Sequence, residues 1–241
     1  MEIIITETYE ELSGRSAMEA IRLTSTDRPS LICPASGDST AGMYKALVDL
    51  SARGKADLSR WTYVGLDEWM GMNGNDEGSC RYHLDRQLFQ PLEVPKQKIR
   101  FFDGRAADPE KECQEVEDFI ASHGGIDVVI LGLGMNGHIG MNEPGASASL
   151  RSHLSQLDPM TQAVGQKYFK QQQSLTQGIT LGIASILAAK NIIVLVSGEH
   201  KAEIAARVLS EEISDALPGT FLRRHPALTI YLDEAAAKFI K

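Results

Sequence analysis

Short apolar runs alternate with longer mixed segments along the whole chain. Residues 3–6, 31–33, 61–66, 99–102, 126–131, 179–181, 192–197 and 228–232 are rich in aliphatic, β-branched or aromatic side chains. Runs this short, ended by glycine, proline or polar residues, read as strands, most of them buried in a parallel sheet. Residues 3–6 read as an edge strand. Between the runs, apolar residues return at helical spacing. Residues 9–23 place Leu12, Ala17, Ala20 and Ile21 on one face, and 41–52 turn Tyr44, Leu47 and Val48 inward. Further helices are predicted over 82–88, stopped by Pro91, and over 108–123, with Pro109 in the first turn. Others run to 189, from 198 to 209, and from Asp233 to the end. Residues 146–177 are polar, with three successive glutamines, and read as a loop carrying one short helix. Strand and helix in alternation predict an α/β fold: a doubly wound, mostly parallel sheet flanked by helices, in a Rossmann-like three-layer arrangement. No repeat or linker divides the chain, so residues 1–241 are read as one domain.

Composition narrows the function more than the fold. The 241 residues, 43% apolar, are enough for a sizeable core. A net charge of −8 argues against a nucleic-acid or anionic-membrane partner. It does not exclude a phosphorylated small molecule, because backbone amides and a few cations outweigh global charge locally. Cys33, Cys80 and Cys113 are far apart and odd in number, which fits neither a zinc site nor a disulfide framework. A reducing, cytoplasmic setting is expected. No window is apolar enough to span a membrane, and the first residues lack the basic flank of a signal peptide.

The densest chemistry lies at 131–145, L-G-L-G-M-N-G-H-I-G-M-N-E-P-G, immediately after the apolar run 126–131. The loop after a parallel strand lies at the carboxyl edge of the sheet, where open α/β folds bind ligands. It carries one imidazole, His138, one carboxylate, Glu143, and Asn136 ahead of both. Gly132, Gly134, Gly137 and Gly140 allow positive φ and a close approach of backbone to ligand. Gly132, Gly134 and Gly137 also match G-x-G-x-x-G. That dinucleotide fingerprint must open a helix and be followed by an acidic residue closing the next strand. Here Pro144-Gly145 intervenes, and Asp158 has no strand before it, so a nucleotide cofactor is not expected.

Three other segments fall at strand ends and therefore at the same edge. S-G-D-S-T, residues 36–40, precedes a helix. The amides of Gly37, Asp38 and Ser39 there suit a phosphate, whereas capping of the helix by Ser39 or Thr40 is the plain alternative. The Asp38 carboxylate would repel a phosphate unless its side chain turns away. Asp67 sits just past a buried strand, where a carboxylate needs a role or a partner; a base acting at carbon is one, a pair with Arg81 the other. Lys201 stands at a helix start, unfavourable to the macrodipole unless an anion lies nearby, or else is an ordinary surface lysine. His138 and Glu143 make an acid–base relay or a satisfied loop histidine. No second histidine or cysteine lies at ligand spacing, so no metal is expected.

Taken together these segments resemble the glucosamine-6-phosphate deaminase/isomerase family, whose fold is shared by 6-phosphogluconolactonases. G-H-I-G-M-N-E-P-G is similar to the deaminase signature, L-D-E-W-M-G to its D-E-Y/W segment, and P-A-S-G-D-S-T-A-G-M-Y-K-A-L to its phosphate loop. S-G-E-H-K is similar to its second phosphate segment, and F-L-R-R-H-P-A-L-T-I-Y-L-D-E-A to its C-terminal stretch. H-L-S-Q-L-D and G-I-T-L-G look most like the galactosamine-6-phosphate branch. The resemblance implies conversion of an amino sugar 6-phosphate and water to a ketose 6-phosphate and ammonia, with no metal or organic cofactor. It implies Asp67 as the base at C2 and C1, His138 as the acid–base that opens the ring, and Glu143 as its partner. Asn136 falls where some members carry an aspartate of the histidine relay. Ser36, Gly37, Ser39 and Lys201 align with phosphate contacts, and Asp38 and Gly137 lie within the matched binding segments. Lys167 replaces an arginine common at the phosphate, keeping the charge but not the bidentate fork. Where regulated members have basic residues for an allosteric phosphosugar, this chain has His153 and Ser155, so no such activation is expected. The implied partner is a phosphorylated amino sugar, glucosamine or galactosamine, with the oligomeric state open. Lactonases tend to read D-E-R and lack an equivalent of Asn142-Glu143-Pro144, so Trp69 and Glu143 favour the deaminase over the lactonase and over a non-catalytic sensor.

Overall fold

The computed structural model describes residues 1–25 and 27–240. In chain order the first elements are β1 (Glu2–Thr6), α1 (Tyr9–Arg22), β2 (Ser30–Pro34), α2 (Asp38–Ala52), β3 (Trp61–Val64), β4 (Asp67–Trp69), α3 (Cys80–Leu84), β5 (Ile99–Arg100) and α4 (Pro109–Ser122). There follow β6 (Val128–Gly132), β7 (His153–Gln156), α5 (Pro159–Gly165), β8 (Gln177–Thr180), α6 (Ile183–Leu187), β9 (Asn191–Val196), α7 (Ala202–Ser210) and β10 (Leu228–Asp233). Seven strands form one sheet in the order β1-β10-β9-β6-β2-β3-β5, and every pairing in it is parallel.

Successive side chains of a strand point to opposite faces. Leu31, Cys33, Val129, Leu131, Ile192 and Val194 enter one core, with Val116 of α4, Ile183 of α6 and Ile204 of α7. Ile32, Val128, Ile130, Ile193 and Leu195 enter the other, with Leu12 of α1 and Met43, Tyr44 and Leu47 of α2. Helices cover both faces, so the central strands have no solvent side and read as continuous apolar runs. This is the doubly wound, three-layer arrangement expected from the sequence.

The winding decides where a ligand belongs. From β2 the chain moves outward through β3 to β5, then returns to β6 on the other side of β2 and moves outward through β9 and β10. The strand order thus reverses between β2 and β6, and a crevice opens beyond their carboxyl ends. These two strands feed the S-G-D-S-T loop and the His138 loop.

Over that edge lies a second, antiparallel sheet, β4-β8-β7, which pairs Asp67 with Thr180 and Thr180 with His153. It accounts for the largest difference from the sequence reading, which took 146–177 as a loop with one helix. That stretch holds β7, α5 and the start of β8, and β7 is too short and polar to announce itself. Helix α2 begins at Asp38 and not at residue 41. The segment 82–88 divides into α3 and a π-helical turn, Asp85–Phe89. Among the described residues the expected C-terminal helix does not form; residues 234–239 form successive turns. Within them Ala237 N–H reaches Asp233 C=O, but Ile240 N–H reaches back only to Ala237. The Asp233 carboxylate accepts from Gly198 N–H as well as Ala236 N–H, which ties the segment's start to the loop after β9. Among the described residues, no helix is long and apolar enough to cross a membrane.

Candidate active site

A cavity of ≈ 190 Å³ opens at the switch point, lined from Ser36, Asp67, His138, Lys167, Ser197 and Lys201 among others. All four segments singled out in the sequence meet there.

The anion end is built from the start of α2. Thr40 is no cap: its hydroxyl donates to the carbonyls of Ala35 and Gly37. Gly37 holds the N-cap position, at φ +153°, with no side-chain hydrogen bond. The first amides of a helix lack intrahelical acceptors, so those of α2 are left to face an anion under the positive end of the dipole. The loop is held from behind by Tyr44, whose hydroxyl donates to Ala35 C=O at 2.6 Å, and by Tyr9, which accepts from Gly42 N–H and donates to Asp38 C=O. Ser197 Oγ meets Ser39 Oγ at 3.2 Å and joins this loop to the end of β9.

Asp38 lines the cavity and pairs with Lys167 at 2.6 Å, so its charge is offset where it would repel a phosphate. Lys201 is mostly buried and donates to Leu133 C=O. Burial, and then the neighbouring Lys167 charge, bring its ammonium down to about 8. A buried cation beside a second cation is costly without an anion. Substituting Lys201 with alanine is expected to raise KM for a phosphorylated substrate at least tenfold, the size of a lost charged hydrogen bond, with kcat much less affected. In the wild type the same interaction should weaken as pH rises through about 8, because the lysine binds anions only when protonated. An unchanged KM in the variant would remove Lys201 from the anion site.

The opposite wall is the loop after β6. His138 Nδ1 lies 3.4 Å from Glu143 Oε2 and 3.1 Å from Thr161 Oγ1. Asn136 donates to the same Glu143 oxygen at 2.7 Å, and its side-chain oxygen accepts from His138 N–H. Burial pushes the Glu143 carboxyl up, but hydrogen bonds from His138, Thr161 and Asn136 and the His138 charge hold it below its usual range. An ionised carboxylate therefore backs Nδ1 and leaves Nε2 for a substrate. Asn136 and Glu143 do not line the cavity and act through the imidazole.

Glycine serves two purposes in this loop. Gly137 and Gly140 take φ of +82° and +57°. Gly132 and Gly134, expected to do the same, do not. Gly134 is required by contact: a Cβ there would lie 2.4 Å from the His138 ring. Substituting Gly134 with alanine is expected to displace the imidazole and lower kcat/KM by about 10²-fold, with little loss of fold stability. Wild-type turnover in that variant would show that the ring position is not critical. Gly137, expected at the substrate, is not at the cavity. Its N–H goes to Gly134 C=O, its C=O accepts from Gly219 N–H, and Leu217 packs over its α-carbon. No helix follows the glycines, which disposes of the dinucleotide fingerprint.

Asp67 opens β4 three residues after β3 ends, 8% exposed. It does not pair with Arg81, which binds Asp85 instead. Burial raises its carboxyl to about 6, while a hydrogen bond from Cys80 and the His138 charge work the other way. The small sheet fixes Asp67 relative to His138. Leu181 N–H bonds Leu66 C=O, Met141 N–H bonds Thr180 Oγ1, and Asn142 donates to Ile139 and Leu181 carbonyls. Sequence reasoning missed Thr161, Cys80, Met160, Val164 and Tyr168 at the cavity. Three of these lie on α5, and no local pattern marks them. Among the described residues, no group of three or more His, Cys, Asp or Glu stands ready to hold a metal ion.

The chain is similar to known proteins over nearly its whole length. The family model described as glucosamine-6-phosphate isomerases/6-phosphogluconolactonase matches residues 7–230. The glucosamine-6-phosphate deaminase of Clostridium tetani is 37% identical over 241 residues, covering 100% of both chains. That of Shouchella clausii is 35% identical over 238 residues, 98% of this chain and 96% of the relative. The structure of a monomeric glucosamine-6-phosphate deaminase superposes with a TM-score of 0.94 at 32% identity, covering 99% of each chain. The 6-phosphogluconolactonase of Trypanosoma brucei has a TM-score of 0.80 at 21% identity, covering 100% of this chain and 98% of its own, a likeness of fold alone.

Proposed function

We propose, for a chain that belongs to the family of glucosamine-6-phosphate isomerases and 6-phosphogluconolactonases, that it is an amino-sugar-6-phosphate deaminase/isomerase. The observation that carries this reading is the separation of labour in one cavity. A helix N-terminus and two lysines form an anion end, a carboxylate raised to about 6 forms a base, and a carboxylate-backed imidazole forms a distinct acid–base. A lactone hydrolase has no use for a buried base at carbon. A sensor has no use for one whose charge is costly to bury.

The phosphate is anchored by the amides at the start of α2, by Ser36 and Ser39, and by Lys201, with Lys167 released from Asp38 to join them. Anchoring at this end makes the later steps unimolecular. His138 Nε2 moves the proton between the C1 hydroxyl and the ring oxygen, which opens the ring to an aldehyde; Glu143 stabilises the imidazole as it gains charge. Asp67 takes the C2 proton, the electron pair moves to the C1 carbonyl oxygen, and that oxygen takes a proton from the C2 ammonium to give an enolamine. The same carboxyl returns the proton to C1, leaving an imine at C2. Water adds to that imine and ammonia leaves, giving the ketose 6-phosphate. A base near pKa 6 suits both directions of this proton transfer at neutral pH.

Ammonia release from glucosamine 6-phosphate and galactosamine 6-phosphate, measured side by side with 6-phosphogluconolactone hydrolysis as control, tests the reading. Release from either amino sugar supports it, and the ratio of kcat/KM names the preferred epimer. Lactone hydrolysis without ammonia release would overturn it, and binding without turnover would mark a sensor.

A further inference from the structure

We propose that Thr161 is a positioning residue for His138: its hydroxyl, brought to Nδ1 by α5, fixes the orientation in which the imidazole presents Nε2 to the substrate. The inference rests on His138 acting as the acid–base that opens the ring.

The loop after β6 cannot orient the imidazole by itself. Glu143 and Asn136 belong to that same loop, so neither refers the ring to the rest of the cavity. Glu143 Oε2 lies 3.4 Å from Nδ1, long for a charged hydrogen bond. Thr161 Oγ1 is nearer, at 3.1 Å, and comes from a separate element. The outer side-chain torsion of a histidine has only broad minima, so one hydrogen bond leaves the ring free to swing. Contacts from two elements hold it in one orientation.

The start of α5 leaves the hydroxyl available for this contact. A threonine in a helix commonly turns its hydroxyl to the carbonyl three or four residues earlier. For Thr161 these carbonyls belong to Asp158 and Leu157. Asp158 C=O accepts from Gln162 N–H at 3.0 Å, and Leu157 C=O accepts from the Gln162 side-chain amide at 2.8 Å. The Asp158 side chain caps the helix by accepting from Met160 N–H at 2.8 Å, with Pro159 in the first turn. Thr161 is 8% exposed, and a buried hydroxyl needs a partner. The imidazole supplies it.

Helix α5 is in turn set against β4. A Cβ on Gly165 would lie 2.8 Å from the Trp69 ring and 2.9 Å from the Leu175 side chain, so glycine is what lets the helix lie this close. Trp69 stands two residues from Asp67 on the same strand. Thr161 is therefore placed by the strand that carries the base, and imidazole and base share one frame.

The test is turnover by Thr161→Val and Thr161→Ser in the full chain, with substrate carrying hydrogen or deuterium at C2. Valine keeps the shape of the side chain and removes the hydroxyl. Its kcat on the cyclic amino sugar phosphate should fall about tenfold, the weight of one hydrogen bond, with KM within about twofold. Ring opening would then limit the reaction, and the C2 isotope effect should shrink toward unity. Serine returns the hydroxyl and should restore both. Thr161→Ala stands in if the valine variant does not fold. The ¹⁵N resonances of the His138 ring read the contact without turnover: Nδ1 should shift in the valine variant and return in the serine variant. Unchanged kcat with an unmoved Nδ1 resonance, in a folded valine or alanine variant, would overturn the proposal. A slower kcat with the isotope effect kept at full size would overturn it too, because the residue would then act on the C2 step and not on the imidazole. If the wild type releases no ammonia, the proposed function fails, and the Nδ1 resonance still decides the Thr161 contact.

Discussion

Asparagine at position 67 is expected to lower kcat/KM by about 10⁴-fold and, at the same time, to make the protein more stable. The first effect follows from the role: an amide cannot accept the C2 proton, and loss of a positioned general base removes a term of this size. The loss should fall on exchange of the C2 hydrogen with solvent, while phosphate-dependent binding stays within a few-fold. The second effect follows from burial. Asp67 is only 8% exposed, and its carboxyl lies at about 6 in the folded chain against an ordinary 3.8. A carboxylate whose folded pKa is raised favours the fold when protonated. Its cost is absent below about pH 4, grows as pH rises through the window between 3.8 and about 6, and is fully present above it. A shift of about two units corresponds to at most roughly 3 kcal/mol. Urea denaturation at pH 8 should therefore show the variant more stable than the wild type, and the gap should close near pH 4. In the wild type, kcat/KM should fall as pH drops below about 6, where the base becomes protonated. Exchange that persists in the variant would take Asp67 out of the mechanism; a stability gap that does not vary with pH would mean that the carboxylate is not the buried charge described here.

That trade-off bears on what could be read from the sequence. Asp67 was legible because it breaks the apolar run 61–66 at the carboxyl edge of the sheet, where a charge needs a reason. The loop at 131–145 was legible for a related cause: glycine, histidine and a carboxylate crowd a segment that directly follows a strand. The sheet itself was legible because both of its faces are covered, which leaves long apolar runs in the central strands. Thr161 was not legible. It reaches His138 from α5, in a stretch whose structure depends on β7 pairing with β8 across about twenty residues of polar sequence, and no local period encodes that pairing. Cys80 looked like one of three scattered cysteines, and it reaches the cavity where Glu68 of β4 binds its backbone N–H at the start of α3. Asp38 looked wrong for an anion site until its partner Lys167, distant in sequence, was beside it. Glu143 and Asn136, which hold His138 from within its own loop, show in the sequence with it; Thr161 and Lys167, which reach the site from the stretch between β7 and β8, carry no local pattern.

Glutamine at position 138 is expected to lower kcat on the cyclic amino sugar phosphate by about 10²–10³-fold, and to change which step limits the reaction. The imidazole stands between two anchors: Nδ1 faces Glu143 and Thr161, and the ring lies over Gly134 so closely that no Cβ fits beneath it. That placement commits Nε2 to one direction and one proton path. Glutamine can keep a hydrogen bond to Glu143, because an amide donates where Nδ1–H donated, so phosphate anchoring and Asp67 should be undisturbed. It cannot carry a proton between the C1 hydroxyl and the ring oxygen. The variant would then wait for substrate that has opened without help, and the C2 hydrogen would be removed after the slow step. With substrate deuterated at C2, a kinetic isotope effect present in the wild type should shrink toward unity in the variant. KM should change little, since neither lysine nor the start of α2 touches position 138. An isotope effect kept at full size in a slow variant would place His138 at the C2 proton transfer, and Asp67 and His138 would have to exchange their assignments.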